Sequence, residues 1–394
     1  SKINAWAARP SQALLEAAAP PLMLSLLSLG SVEPQMLNLC CADPQLEPDA
    51  TVHDEAALLP LIQPIAAMEM MRSPLLPRVG SSNTPIPAPY RAKKGIPAIT
   101  PSRYAGYQGD KYDLLTVLGK GAFGLVTLMR SVDDGRLVAM KTVDRFRLTS
   151  VHLRQAVARE IQILESLPPH AGVVALEDVI QTPRSIHMVM AYSDGGTLLA
   201  LLARDGALSE ARARPLVMML SDAIAHLHSR RIAHRDVKLD NCVLSYPPHA
   251  AAVQHAGDHV DAGGTDAPIL RIIDFGLSTT WREGGAPMRR FCGSLCYVAP
   301  EVLRRSYHGA QADAWSMGVC VCAMLGGALP FEATDEDALK AKVLVGDYQL
   351  PTRDALSAAS LDLISSLLTL DAEARLTAAG AHAHGWVQGE AGAA

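Results

Sequence analysis

The segment that decides the fold is residues 233–241, which read Ala-His-Arg-Asp-Val-Lys-Leu-Asp-Asn and precede a short apolar run, Cys-Val-Leu. It places a carboxylate (Asp236), an ammonium group (Lys238) and an amide (Asn241) close together in the chain. A carboxylate can accept a proton, a lysine can neutralise an anion, and an amide oxygen is a good ligand for a hard cation. The segment therefore predicts a catalytic loop, whose chemistry depends on the motifs around it.

A glycine-rich segment lies upstream of this loop. Residues 119–124 read Gly-Lys-Gly-Ala-Phe-Gly and lie between two strand-like runs, Leu114–Leu118 and Leu125–Arg130. Dinucleotide-binding turns share the G-x-G-x-x-G pattern but lead into a helix, whereas the run after Gly124 favours a strand. That alternative stays open on this segment, because Asp144 follows about 20 residues on, where a ribose-binding acid is expected. In either case glycines allow close backbone approach to phosphates.

A lysine and a glutamate follow the glycine segment. Lys141 ends a third predicted strand, Leu137–Lys141, and becomes a candidate ligand for the α- and β-phosphates of a nucleotide. Such a lysine needs an acidic partner, and Glu160, in a helix predicted over residues 149–167, is the preferred one. Glu165 is the competitor, but it lies about 140° further around the helix.

Together these segments resemble the eukaryotic protein kinases. Further motifs follow in that family's order: Asp274-Phe275-Gly276, Ala299-Pro300-Glu301, Asp313 to Gly318, Asp371 to Thr377 with Arg375, and His384-Gly385-Trp386. The resemblance covers about residues 112–387 and implies that Asp313 braces the catalytic loop and that Arg375 pairs with Glu301. It also implies an α+β, bilobal kinase fold, with a small β-rich N-lobe over residues 112–193 and a large helical C-lobe over 194–387. A short tail, 388–394, remains.

The resemblance implies a role for each matching residue. Asp236 would accept the proton of the substrate hydroxyl, Lys238 would steady the γ-phosphate of ATP, and Asn241 and Asp274 would hold Mg²⁺. The predicted ATP site comprises Leu118, Gly119, Lys120, Gly121, Ala122, Phe123, Gly124, Val126, Ala139, Lys141, Glu160, the gatekeeper Met190, Tyr192 and Val243. Ser294 and Leu295 belong to the predicted activation loop and substrate platform.

The implied function is that of a serine/threonine protein kinase (EC 2.7.11 class), which uses ATP and Mg²⁺ and acts on protein substrates. Lys238 and the Cys292-Gly293-Ser294 run are serine/threonine-type features, and the latter looks most like the calmodulin-dependent and AMP-activated kinase-like branch. The alternative is a pseudokinase scaffold that binds ATP without transferring phosphate. Pseudokinases usually lack one of three residues that are all present here, Lys141, Asp236 and Asp274.

One departure from the family concerns activation. In many relatives a phosphothreonine two residues before the Cys-Gly-Ser cysteine pairs with the arginine of His-Arg-Asp, here Arg235. Arg290 occupies that position in this chain. Two alternatives stay open: activity without a phosphate there, or another partner for Arg235. The candidate partners are Ser278, Thr279, Thr280, Ser294 and Glu283.

Composition limits the partners and the compartment. With 35 basic and 40 acidic residues the net charge is −5, so we expect neither nucleic acid nor an anionic membrane as a main partner. Seven cysteines without a C-x-x-C pair favour a reducing compartment. The longest apolar run, Pro21–Gly30, is far short of the ~20 residues of a membrane span. We therefore expect an intracellular protein, cytoplasmic or also nuclear.

Two segments fall outside the family pattern. Residues 1–110 contain 15 of the 26 prolines, which predicts a Pro-rich, largely disordered extension over residues 1–111. Short Ala/Leu patches within the extension are candidate docking segments for a partner. The stretch from Asp236 to Asp274 is longer than is usual in the family, which predicts an insertion at about 246–268, a mobile surface loop.

Overall fold

The computed structural model describes residues 111–120, 124–246, 268–350 and 356–390. The predictions for the extension, apart from Lys111, and for nearly all of the insertion therefore lie outside the described residues. The same holds for three predicted ATP-site residues, Gly121, Ala122 and Phe123, and for most of the tail.

The first lobe is a five-stranded antiparallel sheet with one helix. Its strands are β1 (Tyr112–Lys120), β2 (Gly124–Ser131), β3 (Leu137–Asp144), β4 (Leu176–Gln181) and β5 (Ser185–Ala191), in the spatial order β1-β2-β3-β5-β4. The helix, α1 (Val151–Ser166), lies between β3 and β4 in the chain. Because β1 and β2 are consecutive antiparallel strands, the glycine segment joins a hairpin, and the dinucleotide-binding alternative is excluded.

Successive side chains of β3 point to opposite faces of the sheet, and each face packs against different residues. Val138 and Met140 point to one side and pack with Met129 and Val189. Lys141 and Val143 point to the other side, where the apolar stripe of α1 covers the sheet. The hydroxyl of Ser150 caps this helix by accepting from the backbone N–H of Leu153 at 3.2 Å. The sheet and its helix thus enclose Lys141 between them.

The second lobe is mainly helical. Its helices are α2 (Leu198–Asp205), α3 (Glu210–Ser229), α4 (Pro300–Leu303), α5 (Gly309–Gly326), α6 (Glu336–Val345), α7 (Ala358–Leu367), α8 (Ala378–His382) and α9 (Gly385–Gln388). Four short strands pair beside them, β6 (Ile232–Ala233) with β9 (Thr279–Thr280) and β7 (Cys242–Ser245) with β8 (Ile269–Ile272). The centre is α5, which is buried along nearly its whole length and forms the core of the lobe.

The two-lobed α+β arrangement implied by the sequence is confirmed. One helix ends earlier than its sequence predicts. The apolar periodicity runs from Leu361 to Leu370, whereas α7 ends at Leu367. The Thr369 carbonyl instead accepts a hydrogen bond from Nε of Arg375 at 2.9 Å, which turns the chain. Within the described ranges, no helix combines the length and the apolar composition needed to cross a membrane.

A buried ion pair fastens α4 to the segment after α7. The guanidinium of Arg375 donates to both carboxylate oxygens of Glu301, at 2.5 and 3.0 Å, and to the carbonyl of Gln311 at 2.7 Å. It also lies over the ring of Trp315 at 5.0 Å. The Arg375 side chain is 0% exposed, so water cannot replace these contacts.

Replacing Arg375 with methionine should lower the free energy of unfolding by about 3–5 kcal/mol, because it leaves the Glu301 carboxylate buried without a cation. The matched control is Arg147→Met, at an exposed site, with an expected change within about 0.5 kcal/mol. Urea unfolding measures both. Equal effects of the two substitutions would contradict a structural role for the pair.

Candidate active site

Lys141 lies where the two lobes meet. Its Nζ donates to Oε1 of Glu160 at 2.6 Å and to Oδ1 of Asp274 at 3.0 Å. The side chains of Lys141 and Glu160 are 7% and 2% exposed, so the contact between strand and helix is buried. Glu165 is exposed on α1. The geometry therefore favours Glu160, the preferred partner, and adds a bond from Lys141 to the opposite lobe.

The charges of Lys141 and Asp274 stabilise each other, whereas burial and the Asp274 carboxylate raise the pKa of Glu160. Burial opposes protonation of Lys141, but the carboxylates of Asp274 and Glu160 outweigh it and raise the pKa of the lysine. The Lys141 ammonium in turn lowers the pKa of Asp274 to about 2. At neutral pH the site therefore presents a fixed cation beside a fixed anion.

Asp274 itself sits in a strained backbone conformation. Its φ of 64° is in the left-handed region, which is uncommon for a residue with a side chain. The next residue, Phe275, is 1% exposed and packs edge-on against the ring of His234, with centroids 5.0 Å apart. The Asp274 side chain remains 47% exposed. The strained turn thus buries the phenyl ring while leaving the carboxylate accessible from the cleft.

The carboxylate of Asp236 is held through both of its oxygens. Oδ1 accepts from the backbone N–H and the hydroxyl of Ser294, at 3.1 and 3.0 Å. Oδ2 accepts from the amide of Asn241 at 3.0 Å and faces Nζ of Lys238 at 3.2 Å. Lys238 also donates to the Ser294 hydroxyl at 2.9 Å. These contacts orient Asp236 and leave its side chain 11% exposed.

The carboxylate of Asp313 fixes the backbone of the catalytic loop through hydrogen bonds. This carboxylate, which is 1% exposed, accepts from the backbone N–H groups of His234 and Arg235 at 2.8 and 2.7 Å. It also lies 3.0 Å from Nε2 of His228. Arg235 has a φ of 64°, a conformation that these bonds help to maintain. The predicted brace is therefore present, and His228 is a member that sequence reasoning missed.

Asn241 connects the two acidic residues. Its amide nitrogen donates to the backbone carbonyl of Asp236 at 2.8 Å as well as to that residue's carboxylate. Its backbone carbonyl accepts from the N–H of Ile273, the residue before Asp274, at 2.9 Å. Because both amide hydrogens have acceptors, the orientation of the amide is fixed and its oxygen is the atom left to bind a cation.

These oxygen donors fit Mg²⁺. The amide oxygen of Asn241 and the carboxylate of Asp274 are hard ligands, and Mg²⁺ typically takes one or two protein ligands and completes its shell with water and phosphate. Among the described residues no group of three or more His, Cys, Asp or Glu side chains could hold a metal ion by itself. A cation at this site would therefore depend on phosphate oxygens.

The predicted nucleotide-facing residues that the structure describes come from both lobes. Val126 pairs with Lys141 across β2 and β3, and Ala139 pairs with Met190 across β3 and β5. The remaining members are Leu118, Gly119, Lys120 and Gly124 on β1 and β2, Tyr192 just after β5, and Val243 on β7. Leu295, predicted for the substrate platform, is only 5% exposed and packs in the C-lobe core, whereas Ser294 contacts Asp236.

Two glycines of the phosphate-binding segment have different surroundings. A Cβ added at Gly124 would lie 1.8 Å from the carbonyl oxygen of Thr142 on the paired strand. Around Gly119 no described atom lies within 4 Å of an added Cβ. The packing of the sheet therefore requires glycine at position 124. At position 119 no described atom fills the space next to the backbone, which leaves room for a ligand.

Gly124→Ala should lower the free energy of unfolding by about 1–3 kcal/mol, because the backbone of β3 has to move. Gly119→Ala is the matched control, with unfolding unchanged and a raised KM for ATP, since its methyl group enters the ligand space. Urea unfolding and ATP titration separate the two effects. Equal losses of stability would contradict this distinction.

The residues considered as partners of Arg235 lie in different surroundings. Glu283 pairs with Arg231, at 3.2 Å between Oε2 and Nη2. Ser278 and Thr279 are buried. Sequence reasoning also missed Tyr307, a buried residue against the activation segment, because no motif spacing marks it.

Comparison with known proteins adds independent findings. A family model described as the protein kinase domain matches residues 112–387. A similar curated protein is CBL-interacting protein kinase 21 of Oryza sativa subsp. japonica, 35% identical over 300 residues, which are 75% of this chain and 53% of that protein. Another is CBL-interacting serine/threonine-protein kinase 8 of Arabidopsis thaliana, 35% identical over 270 residues, 68% of this chain and 56% of that protein.

A third relative matches over more of its own length. Serine/threonine-protein kinase SRK2G of Arabidopsis thaliana is 35% identical over 282 residues, 70% of this chain and 73% of that protein. The chain spans about half the length of the two CBL-interacting relatives.

Proposed function

The chain belongs to the protein kinase family, and from this premise we propose that it is an active serine/threonine protein kinase that transfers the γ-phosphate of ATP to protein hydroxyls. The observation that carries the proposal is the cross-lobe contact of Lys141. This residue bonds Glu160 in one lobe and Asp274 in the other, at 2.6 and 3.0 Å. Such a contact closes the cleft around the place where a nucleotide's phosphates would lie.

The side chains divide the chemistry among them. Lys141 would hold the α- and β-phosphates. Asn241 and Asp274 would hold Mg²⁺, which when bound would supply positive charge for the phosphate oxygens. The substrate oxygen bonds to the γ-phosphorus as the bond from that phosphorus to the bridging oxygen of ADP breaks. Asp236 accepts the proton of the hydroxyl, and Lys238 stabilises the charge on the transferred group.

A hydroxyl of serine or threonine fits the acceptor position. The Ser294 hydroxyl is hydrogen-bonded to both Asp236 and Lys238, which indicates that this pair accommodates an aliphatic alcohol. Two of the relatives above carry serine/threonine-protein kinase in their names. The pseudokinase alternative has no support. Pseudokinases usually lack one of three residues, and this chain has all three, Lys141, Asp236 and Asp274, at one site.

The partners and the location remain proposals. Protein substrates follow from kinase function, whereas the docking partner of residues 1–111 and a cytoplasmic or nuclear location rest on composition alone. ATP and Mg²⁺ are proposed from family membership and from the fit of Lys141, Asn241 and Asp274 to them.

A peptide array with serine, threonine and tyrosine acceptors, incubated with the purified chain and labelled Mg-ATP, tests the function. We expect label on serine and threonine peptides, with labelling abolished by EDTA because the metal is removed. Labelling of tyrosine alone, or tight ATP binding without any transfer, would contradict the proposal. The second of these outcomes would favour the scaffold alternative.

A further inference from the structure

Residues 282–308, which lie between β9 and α5, carry an excess of positive charge. They contain five arginines and two acidic residues, whereas the whole chain has a net charge of −5. The arginines are Arg282, Arg289, Arg290, Arg304 and Arg305. The same stretch includes Ser294, which bonds the proposed base Asp236. A local charge opposite to that of the chain therefore borders the place where a substrate hydroxyl would react.

The two acidic residues of this stretch have other partners. Glu301 is 8% exposed, and its carboxylate accepts from the guanidinium of Arg375. Glu283 pairs with Arg231, with 3.2 Å between Oε2 and Nη2. Neither carboxylate is therefore available to neutralise the arginines of its own stretch.

Arg289 and Arg304 carry charge that no carboxylate compensates. Both residues are exposed. Within the described part of the chain, no acidic side chain forms an ion pair with either guanidinium. Arg304 donates instead to the backbone carbonyl of Leu344 at 3.1 Å, and this acceptor is neutral. The two positive charges are therefore available to an anionic ligand.

The fold brings arginines from two parts of this stretch onto neighbouring segments. Met288 and Tyr307 form an antiparallel bridge, in which the backbone N–H of each donates to the carbonyl of the other, at 2.7 and 3.1 Å. Because the two segments run in opposite directions from this bridge, Arg289 on one lies near Arg304 and Arg305 on the other. Like charges on adjacent segments repel each other. An anion bound among them would remove that repulsion.

These arginines lie within reach of a substrate held at Asp236. Arg289 is five residues before Ser294 in the chain. An extended chain covers about 3.3 Å per residue, so at most roughly 17 Å separates the two Cα atoms. The Ser294 hydroxyl in turn lies 3.0 Å from the Asp236 carboxylate. A peptide bound with its acceptor hydroxyl at Asp236 can therefore place a neighbouring side chain against Arg289.

We propose that Arg289, Arg304 and Arg305, here called the arginine surface, select protein substrates that carry acidic side chains within about five residues of the phosphorylated hydroxyl. The inference rests on the proposed kinase function and specifies its substrate class. Each guanidinium presents N–H donors in a planar fork that matches a carboxylate, so acidic side chains are bound and basic ones are repelled. The arginine surface touches no reacting atom and acts on substrate binding.

The first test compares three peptides as substrates of the whole purified chain with Mg-ATP. The peptides share one acceptor serine and differ at the positions three to five residues on either side of it, which are all aspartate, all glutamine or all lysine. We expect kcat/KM to be about tenfold higher for the aspartate peptide than for the glutamine peptide, and lowest for the lysine peptide. The preference should decline as salt is raised, because the charges are exposed. Equal rates, or a preference for lysine, would overturn the inference.

The second test reverses the charge of the arginine surface with Arg289→Glu and Arg304→Glu, separately and together. Each single variant should lower the ratio of kcat/KM for the aspartate and glutamine peptides about fivefold, since an attraction becomes a repulsion. The double variant should prefer the lysine peptide, a gain that damaged folding cannot produce. Arg147→Glu, at an exposed position in the other lobe, is the matched control and should leave the ratio unchanged. An unaltered ratio in both single variants, or an equal change in the control, would refute the assignment.

The two proposals fail in different ways. A chain that transfers no phosphate to any peptide would contradict the proposed function. A chain that phosphorylates peptides without favouring acidic ones would contradict the arginine surface alone. Should no transfer be seen, fluorescence anisotropy of a labelled aspartate peptide still decides on the arginine surface. We expect Arg289→Glu to raise the Kd of this peptide about fivefold, and an unchanged Kd would exclude the inference.

Discussion

Replacing Asp236 with asparagine should lower kcat for peptide phosphorylation by about 10²–10⁴-fold, because the group that accepts the proton of the attacking hydroxyl is removed. The new amide also presents hydrogens where the carboxylate accepts four contacts. Ser294 supplies two of these contacts and Asn241 and Lys238 supply one each, at 3.0 to 3.2 Å. The orientation of the loop is disturbed as well as its basicity.

The measurement compares kcat with the Kd for ATP. Asp236 lies across the cleft from the nucleotide-facing strands, so we expect ATP affinity to change by less than about threefold. Asp222→Asn is the matched control, since Asp222 is 53% exposed and pairs with His170 on another surface. Retention of wild-type turnover in Asp236→Asn would remove the proposed base from the reaction.

Replacing Lys141 with methionine should lower kcat/KM for ATP by about 10²–10³-fold, comparable to the loss of one preorganised donor at a developing charge. Methionine preserves the length of the side chain and removes the cation. Glu160 and Asp274 then face each other across the cleft with no ammonium between them. We expect loss of both phosphate contact and lobe closure.

The control for this variant is Lys340→Met on α6, whose ion pair with Glu336 lies on the surface. Surface pairs contribute little, so we expect unchanged kinetics and stability. Lys141→Met with near-normal ATP turnover would show that the buried contact is structural rather than catalytic.

The ion pair between Lys141 and Asp274 predicts how the stability of the protein depends on pH. Asp274 has its pKa lowered from 3.8 to about 2 in the folded protein, so it contributes stability that is present above the unfolded value and lost as pH falls through about 2. The difference in unfolding free energy between wild type and Lys141→Met should therefore shrink as pH falls from about 4 towards 2, because protonation of Asp274 removes its attraction to the lysine. Urea unfolding across this range measures it, and a difference that grows towards acid pH would have the wrong sign.

Local patterns in the sequence were sufficient to predict the site wherever neighbouring residues act together. The catalytic loop holds Asp236, Lys238 and Asn241 in one short turn, so their order in the chain already determines that they meet. Helical geometry also separated Glu160 from Glu165, because only one of them faces Lys141 from α1. The antiparallel β1–β2 pairing likewise followed from the strand-like run after Gly124.

Contacts that depend on the three-dimensional path of the chain were not predictable in this way. Tyr307 meets Met288, Arg290 and Cys292 because the segment after α4 returns against the activation segment, and no spacing rule encodes that return. Glu283 was a reasonable partner for Arg235 on charge alone. The fold places it beside Arg231 instead, since the activation segment leaves β9 in that direction.

The most direct measurement of the central claim is a crystal structure of the chain with Mn²⁺ and a non-hydrolysable ATP analogue. We predict an anomalous manganese peak within bonding distance of the Asn241 amide oxygen and the Asp274 carboxylate. The Lys141 ammonium should contact the α- and β-phosphates, and the γ-phosphate should face Asp236. A metal peak away from Asn241 and Asp274, or a nucleotide bound outside the cleft at Lys141, would contradict the account.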